Sequence, residues 1–134
     1  MKRNITVSAL LSLVLALGIS APAWAAPAID VRPGSDQNVV NPNAKGMIQI
    51  ALLGDAEFDV NGVAITALRL SAQGSSSSAE PKGHGRAVDV NNDGFLDLVL
   101  NFPIQGTGVK SGDTQICLAG PGFEACDAIE TVPR

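Results

Sequence analysis

From Ile29 onward the apolar runs of this chain are all of strand length, seven residues or fewer, and each is closed by turn-forming residues. A lone amphipathic helix needs about 10–12 residues with apolar positions three and four apart, and no stretch offers that pattern. The runs instead repeat at short intervals, which restricts the chain to an all-β architecture.

In order, Ile29-Asp30-Val31 alternates and is stopped by Arg32-Pro33-Gly34-Ser35-Asp36, the pattern of a short edge strand. Gln37 to Lys45, with Asn41-Pro42-Asn43 at its centre, reads as a surface connection. Met47 to Leu53, between Gly46 and Gly54, is nearly continuous in apolar character and is expected to be the central core strand. Asp55 to Val60 alternates strictly, which predicts a strand with Ala56, Phe58 and Val60 inward. Asn61-Gly62 between Val60 and Val63 is a hairpin signal, and Ile65 to Leu70 suits a strand or a short helical turn leading into one.

The stretch from Ser71 to Gly85, SAQGSSSSAEPKGHG, is expected to be a mobile surface loop. Arg86 to Val90 and Leu96 to Phe102 then read as two paired strands, the second ended by Pro103. Gly106 to Asp113 is a turn-rich connection, and Gln115–Ala119 with Cys126–Val132 forms a last hairpin around Gly120-Pro121-Gly122. About seven strands and no ordinary helix favour a single antiparallel β-sandwich of immunoglobulin-like type.

The compartment follows from the first residues. Lys2 and Arg3 precede an apolar run from Val7 to Ile19, followed by Ala23-Trp24-Ala25, the layout of a cleaved secretory signal peptide over residues 1–25. The run is shorter than the roughly 20 residues of a membrane span. It is also broken by Ser8, Ser12 and Gly18 and ends at Pro22, so stable membrane insertion after cleavage is not expected. Residues 26–134 then form one domain, without room for a second core. Two cysteines in an exported chain, Cys117 and Cys126, predict one disulfide, the alternative being two unrelated buried thiols.

The first 25 residues hold two of the nine Lys and Arg and none of the thirteen Asp and Glu, which leaves the remainder at a formal charge of −6. Such a surface repels nucleic acid and favours cations. Once Trp24 is removed, four Phe are the only aromatic residues, too few for the platforms that grip sugars or single strands.

The stretch with chemistry is DVNNDGFLD, Asp89 to Asp97, between the two strand-like runs. Calcium wants roughly six to eight oxygens, and a loop supplies several when alternate side chains turn inward. Asp89, Asn91 and Asp93 would give side-chain oxygens, Phe95 a backbone carbonyl and Asp97 a further oxygen, directly or through water, with Gly94 permitting the sharp turn. These are the first, third, fifth, seventh, ninth and sixth places of the EF-hand scheme, but its twelfth place, a bidentate Glu, is Leu100 here. The expectation is therefore a calcium loop on a β-hairpin. DVNNDGFLDL resembles the FG-GAP or VCBS type of calcium loop, a likeness of about ten residues that implies an ion and its ligands but not a propeller fold.

Other constellations are weaker. Asp55, Glu57, Asp59 and Asn61 repeat the spacing of two, yet the apolar residues between them make an ordinary strand with a solvated outer face the simpler reading. His84 is the only histidine, which excludes a multi-histidine zinc or iron site within one chain and reads as an exposed loop residue. Ser75 to Ser78 lie in a low-complexity tract with nothing to fix a nucleophile beside it.

IDVRPGSDQN, GMIQIALLGDAEFDV, DVNNDGFLDLVLNF, GDTQICLAG and CDAIETVP together resemble a loosely characterised secreted bacterial domain family with an IDVKPGSDPN-type start. The likeness covers nearly all of residues 26–134 and implies no enzymatic activity. The chain departs from that pattern at Ala64-Ile65, where Asp-Pro is usual, and in its expanded Ser-rich loop. The expected function is a non-enzymatic, secreted or periplasmic calcium-binding module for surface association, adhesion or accessory binding, with a protein or polysaccharide partner. The alternatives are a small hydrolase using paired carboxylates on a glycan-type substrate, and a calcium-dependent carbohydrate-binding module.

Overall fold

The computed structural model describes residues 26–132. Nine strands occur among them: β1 (Ile29–Val31), β2 (Val39–Val40), β3 (Met47–Leu52), β4 (Arg69–Ala72), β5 (Lys82–Val88), β6 (Asp97–Pro103), β7 (Gln115–Gly120), β8 (Phe123–Ala128) and β9 (Glu130–Thr131). The helices among the described residues are single 3₁₀ turns at Val60–Gly62, Ile65–Ala67 and Ile104–Thr107. The signal-peptide reading falls on residues 1–25, outside the described residues. Among the described residues no helix is long and apolar enough to cross a membrane.

Seven strands build two antiparallel sheets. One has the order β1-β3-β6-β5 and the other β4-β7-β8, while β2 and β9 form a separate two-stranded parallel pair. Counting the seven in chain order, the first, second, fifth and fourth share one sheet and the third, sixth and seventh the other. This is the arrangement of an immunoglobulin constant-type sandwich, in agreement with the fold expected from the strand pattern.

Period-two alternation explains the core. Ile48, Ile50 and Leu52 of β3 and Leu98, Leu100 and Phe102 of β6 turn one way and join Leu70, Ile116 and Leu118 of the facing sheet in one apolar cluster. β3 lies between β1 and β6, the central position its composition predicts. Asp127 of β8 ties the sandwich edge to β1, its Oδ2 accepting from Val31 N at 3.0 Å and from Asn38 Nδ2 at 3.1 Å. The disulfide joins Cys117 and Cys126, which stand opposite each other in the β7–β8 hairpin with Cα atoms 4.0 Å apart.

Four local expectations change. Asp55 to Val60 is no strand: Asp55 and Phe58 exchange backbone hydrogen bonds in a tight turn, and Asp59 caps the following 3₁₀ turn by accepting from Asn61 N. The Asp side chains offer the backbone local acceptors that compete with a ladder. Val60 still enters the core and Phe58 packs edge-to-face on Phe123 at 5.7 Å, but Ala56 is exposed. The hairpin expected at Asn61-Gly62 is accordingly replaced by that 3₁₀ turn.

The Ser/Gly-rich loop is also shorter than expected. β4 reaches Ala72, and the buried Ala79 exchanges both backbone hydrogen bonds with Leu70, so the unpaired crossing is confined to a few residues around the serines before β5 starts at Lys82. Finally, Val39-Val40, placed by sequence in a surface connection, pairs with β9, and Val40 is buried.

Candidate metal centre

The β5–β6 hairpin carries the loop at one end of the four-stranded sheet, with Val88 and Asp97 as its last paired residues. The hairpin is held open by left-handed backbone at Asn92 (φ 61°) and Gly94 (φ 91°), residue types that tolerate that region. The loop curls because its own side chains collect its amides. Asp89 accepts from Asp93 N (Oδ1, 3.2 Å) and Gly94 N (Oδ2, 2.9 Å), Asn91 Oδ1 from Asp93 N (3.3 Å), and Asp93 Oδ1 from Phe95 N (2.9 Å).

Asp89, Asp93 and Asp97 thereby converge, with one carboxylate oxygen of each lying within 4.8 Å of the others. They can hold a metal ion. A carboxylate oxygen that accepts one amide keeps a second lone-pair direction free for a cation. Asn91 belongs to the same curl through its bond to Asp93 N, while the Phe95 side chain stands 41% exposed at the rim and its amide, rather than its carbonyl, makes the contact that ties it to Asp93.

The three acids differ in environment. Asp93 is exposed and Asp89 partly covered, whereas Asp97 has no exposed surface. Asp97 is satisfied from two sides: Oδ1 accepts from Gly54 N at 2.9 Å and Oδ2 from Val90 N at 2.8 Å. It therefore fastens the loop to the end of β3. The hydrogen bond from Gly94 N, reinforced by other loop amides against a smaller opposing effect of burial, holds the Asp89 carboxyl below the usual carboxylate range. Three carboxylates this close repel one another, the more weakly where solvent screens Asp89 and Asp93. A cation relieves that repulsion.

Gly54 is the residue of this site that sequence reasoning missed. A Cβ there would lie 2.1 Å from the Leu96 carbonyl oxygen, so only glycine lets the end of β3 pass against the loop. The available signal was its place between Leu53 and Asp55, which marked a strand end and nothing more.

The second acidic set does not converge. Asp55 Oδ1 accepts from Glu57 N at 2.8 Å and Asp59 Oδ1 from Asn61 N at 2.9 Å, each in a separate local turn. Asp55, Asp59 and Asn61 instead share with Phe58, Phe95 and Leu96 a shallow cleft of about 180 Å³ beside the loop. Comparison with protein-family models, curated proteins and solved structures gives no match for this chain.

Proposed function

We propose that this chain is an exported, non-enzymatic β-sandwich module whose Asp89–Asp97 loop binds calcium and which serves surface association, adhesion or accessory binding to a protein or polysaccharide. The observation that carries the reading is the convergence of Asp89, Asp93 and Asp97 within 4.8 Å on a loop already curled by its own amides. A hard, all-oxygen donor set with three negative charges suits calcium; zinc and the later transition metals prefer nitrogen or sulfur ligands, which this loop lacks. Asn91 and the Phe95 carbonyl would complete the protein's share of the shell. The disulfide agrees with an oxidising compartment. The cleft beside the loop, at about 180 Å³, is smaller than the roughly 300–1,000 Å³ typical of sites that enclose a small substrate, which favours a binding role over a hydrolase.

Thermal unfolding of residues 26–134 in EDTA, in calcium and in magnesium tests the reading. Calcium at ten times its dissociation constant should add about 1.4 kcal/mol, a rise of several degrees for a domain this size, and magnesium should add less. Asp93→Ala should abolish the rise and Asp55→Ala should leave it intact. An unchanged melting temperature at millimolar calcium would reduce the loop to a polar hairpin turn.

A further inference from the structure

On the opposite stretch of the same hairpin, well before the acidic loop in sequence, β5 departs from regular pairing. Lys82 stands opposite Asn101 and Arg86 opposite Val99, so four steps along β5 match two along β6 and Gly83-His84-Gly85 bulges outward. Gly85 is required there: its φ is +69°, and a Cβ would lie 2.9 Å from Leu100 Cδ2 and 3.0 Å from the Val99 carbonyl oxygen. The Gly-His-Gly sequence, expected to lie in a mobile surface loop, is a built bulge on an edge strand.

The bulge borders a depression of about 220 Å³, walled by Lys82, His84, Arg86, Asn101 and Gln49 with Val99 at its floor. Gln49, Asn101 and Lys82 are direct cross-strand neighbours on β3, β6 and β5, and Ala51, Val99 and Arg86 form the adjacent row. Since Gln49 and Ala51 lie two apart, as do Asn101 and Val99, both rows lie on the sheet face turned away from the core cluster, where Ala51 and Val99 are themselves buried. The result is a patch whose ammonium, guanidinium, imidazole and two carboxamides all offer N–H donors. No acidic side chain lines it, although acids outnumber Lys and Arg by thirteen to nine in the sequence.

The side chains of Lys82, His84 and Arg86 enter no ion pair or hydrogen bond among the described residues, whereas Arg69 faces Glu80 and Arg32 donates to the Val39 carbonyl. Charged residues on an edge strand guard it against pairing with another chain. That duty needs nothing from interior strands, yet here Asn101 and Gln49 carry the row of donors two strands inward.

We propose that this β5 bulge is a binding site for a single oxyanion group, a carboxylate or a tetrahedral sulfate or phosphate, held by Arg86 and Lys82 with Asn101, Gln49 and His84 as further donors. Arginine presents a planar fork of donors matched to such groups, and charge-assisted hydrogen bonds are roughly twice as strong as neutral ones. The overall negative charge selects against a polyanion, whose far ends would meet the acidic remainder of the surface. A small anion is different. Screening over about 8 Å at physiological ionic strength leaves a group seated in the patch governed by the charges that touch it.

The test is an NMR titration of residues 26–134, which contain every described strand and the apolar core cluster of the described residues. Sodium acetate and sodium sulfate are each added against sodium chloride at constant ionic strength. EDTA is present throughout, so the outcome is independent of the metal loop. The expected result is a saturable shift confined to the Gly83, His84, Gly85 and Asn101 signals. Affinity should fall about tenfold in Arg86→Gln and further when Lys82→Gln is added, with Lys110→Gln unchanged. Saturation by acetate alone assigns a carboxylate, saturation by sulfate alone a tetrahedral oxyanion, and either supports the site. A non-saturating drift shared with the Lys45 and Lys110 amides overturns it. So does an unbound wild type whose double variant self-associates, which would make the basic pair an edge guard only.

Discussion

Replacing Gly54 with alanine should disturb the candidate metal centre through the backbone. The added Cβ would stand 2.1 Å from the Leu96 carbonyl oxygen, 3.3 Å from the Leu96 carbonyl carbon and 3.4 Å from the Phe58 carbonyl oxygen. All three are backbone atoms, so no flexible side chain can swing aside, and either the end of β3 or the loop must shift. Overpacking of this kind costs about 1–3 kcal/mol. The same shift draws Gly54 N away from Asp97 Oδ1, a buried hydrogen bond of 2.9 Å to a charged acceptor, whose loss costs about 1.5–3 kcal/mol. Gly54→Ala should therefore lose about 2.5–6 kcal/mol, a large part of the roughly 5–15 kcal/mol that holds a domain together.

Urea unfolding reads this directly. With a slope of about 2 kcal/mol per molar, the midpoint should fall by about 2 M. Gly62→Ala is the control, since nothing lies within 4 Å of its Cβ position, and it should change stability by no more than about 1 kcal/mol. The variant should also lose calcium-dependent stabilisation, because Asp97 moves with its donor. A loss below about 1 kcal/mol for Gly54→Ala would refute the argument that the glycine exists to admit the loop.

Further outcomes follow from the same structure. Reducing the Cys117–Cys126 disulfide, or replacing both residues with serine, should cost about 2–3 kcal/mol on the chain-entropy model, read as a lower melting temperature with reductant than without. Asp30 is pushed above the ordinary carboxylate range by burial first and by Asp127 second. Its raised value means that stability is lost as pH climbs from the unfolded carboxylate value through the folded one. Asp30→Asn should thus stabilise at neutral pH, with no gain at pH values below both. Asp89 has the opposite sign. Its lowered value contributes stability present above the unfolded carboxylate pKa and lost as pH falls through the folded one, so Asp89→Asn in EDTA should weaken the fold at neutral pH and match the wild type in strong acid.

The elements legible in the sequence were those whose signal is local. Met47–Leu52 and Asp97–Pro103 carry apolar residues at every core position, and turn residues bracket both, so their length and place could be read directly. The spacing of Asp89, Asn91, Asp93 and Asp97 was legible for the same reason, since the loop that gathers them is bonded within itself. What escaped depended on partners far along the chain. Asp55 to Val60 has the period of a strand, but no ladder partner is brought to it and its Asp side chains close local turns instead. Val39-Val40 is too short to carry a period and becomes a strand only because Glu130-Thr131 arrives beside it. Ala79 looked like part of a polar tract, and its bonds to Leu70 follow from the crossing between sheets.

Asp97 joins the loop to the sandwich. Its Oδ1 and Oδ2 hold amides of separate segments, Gly54 at the end of β3 and Val90 at the entry to the loop, while its carboxylate lies within 4.8 Å of those of Asp89 and Asp93. An acid of the candidate metal centre that also tethers its loop is held in place by the fold itself. The three acids are therefore already gathered by the loop's own hydrogen bonds and its tether to β3, so a bound cation would act on the repulsion between assembled carboxylates. That separates the roles of the three acids. Removing Asp93, exposed and bonded only within the loop, should abolish metal binding at little cost to the apo fold. Removing Asp97 should destabilise the apo protein itself, because Gly54 N and Val90 N then lose the acceptor they share.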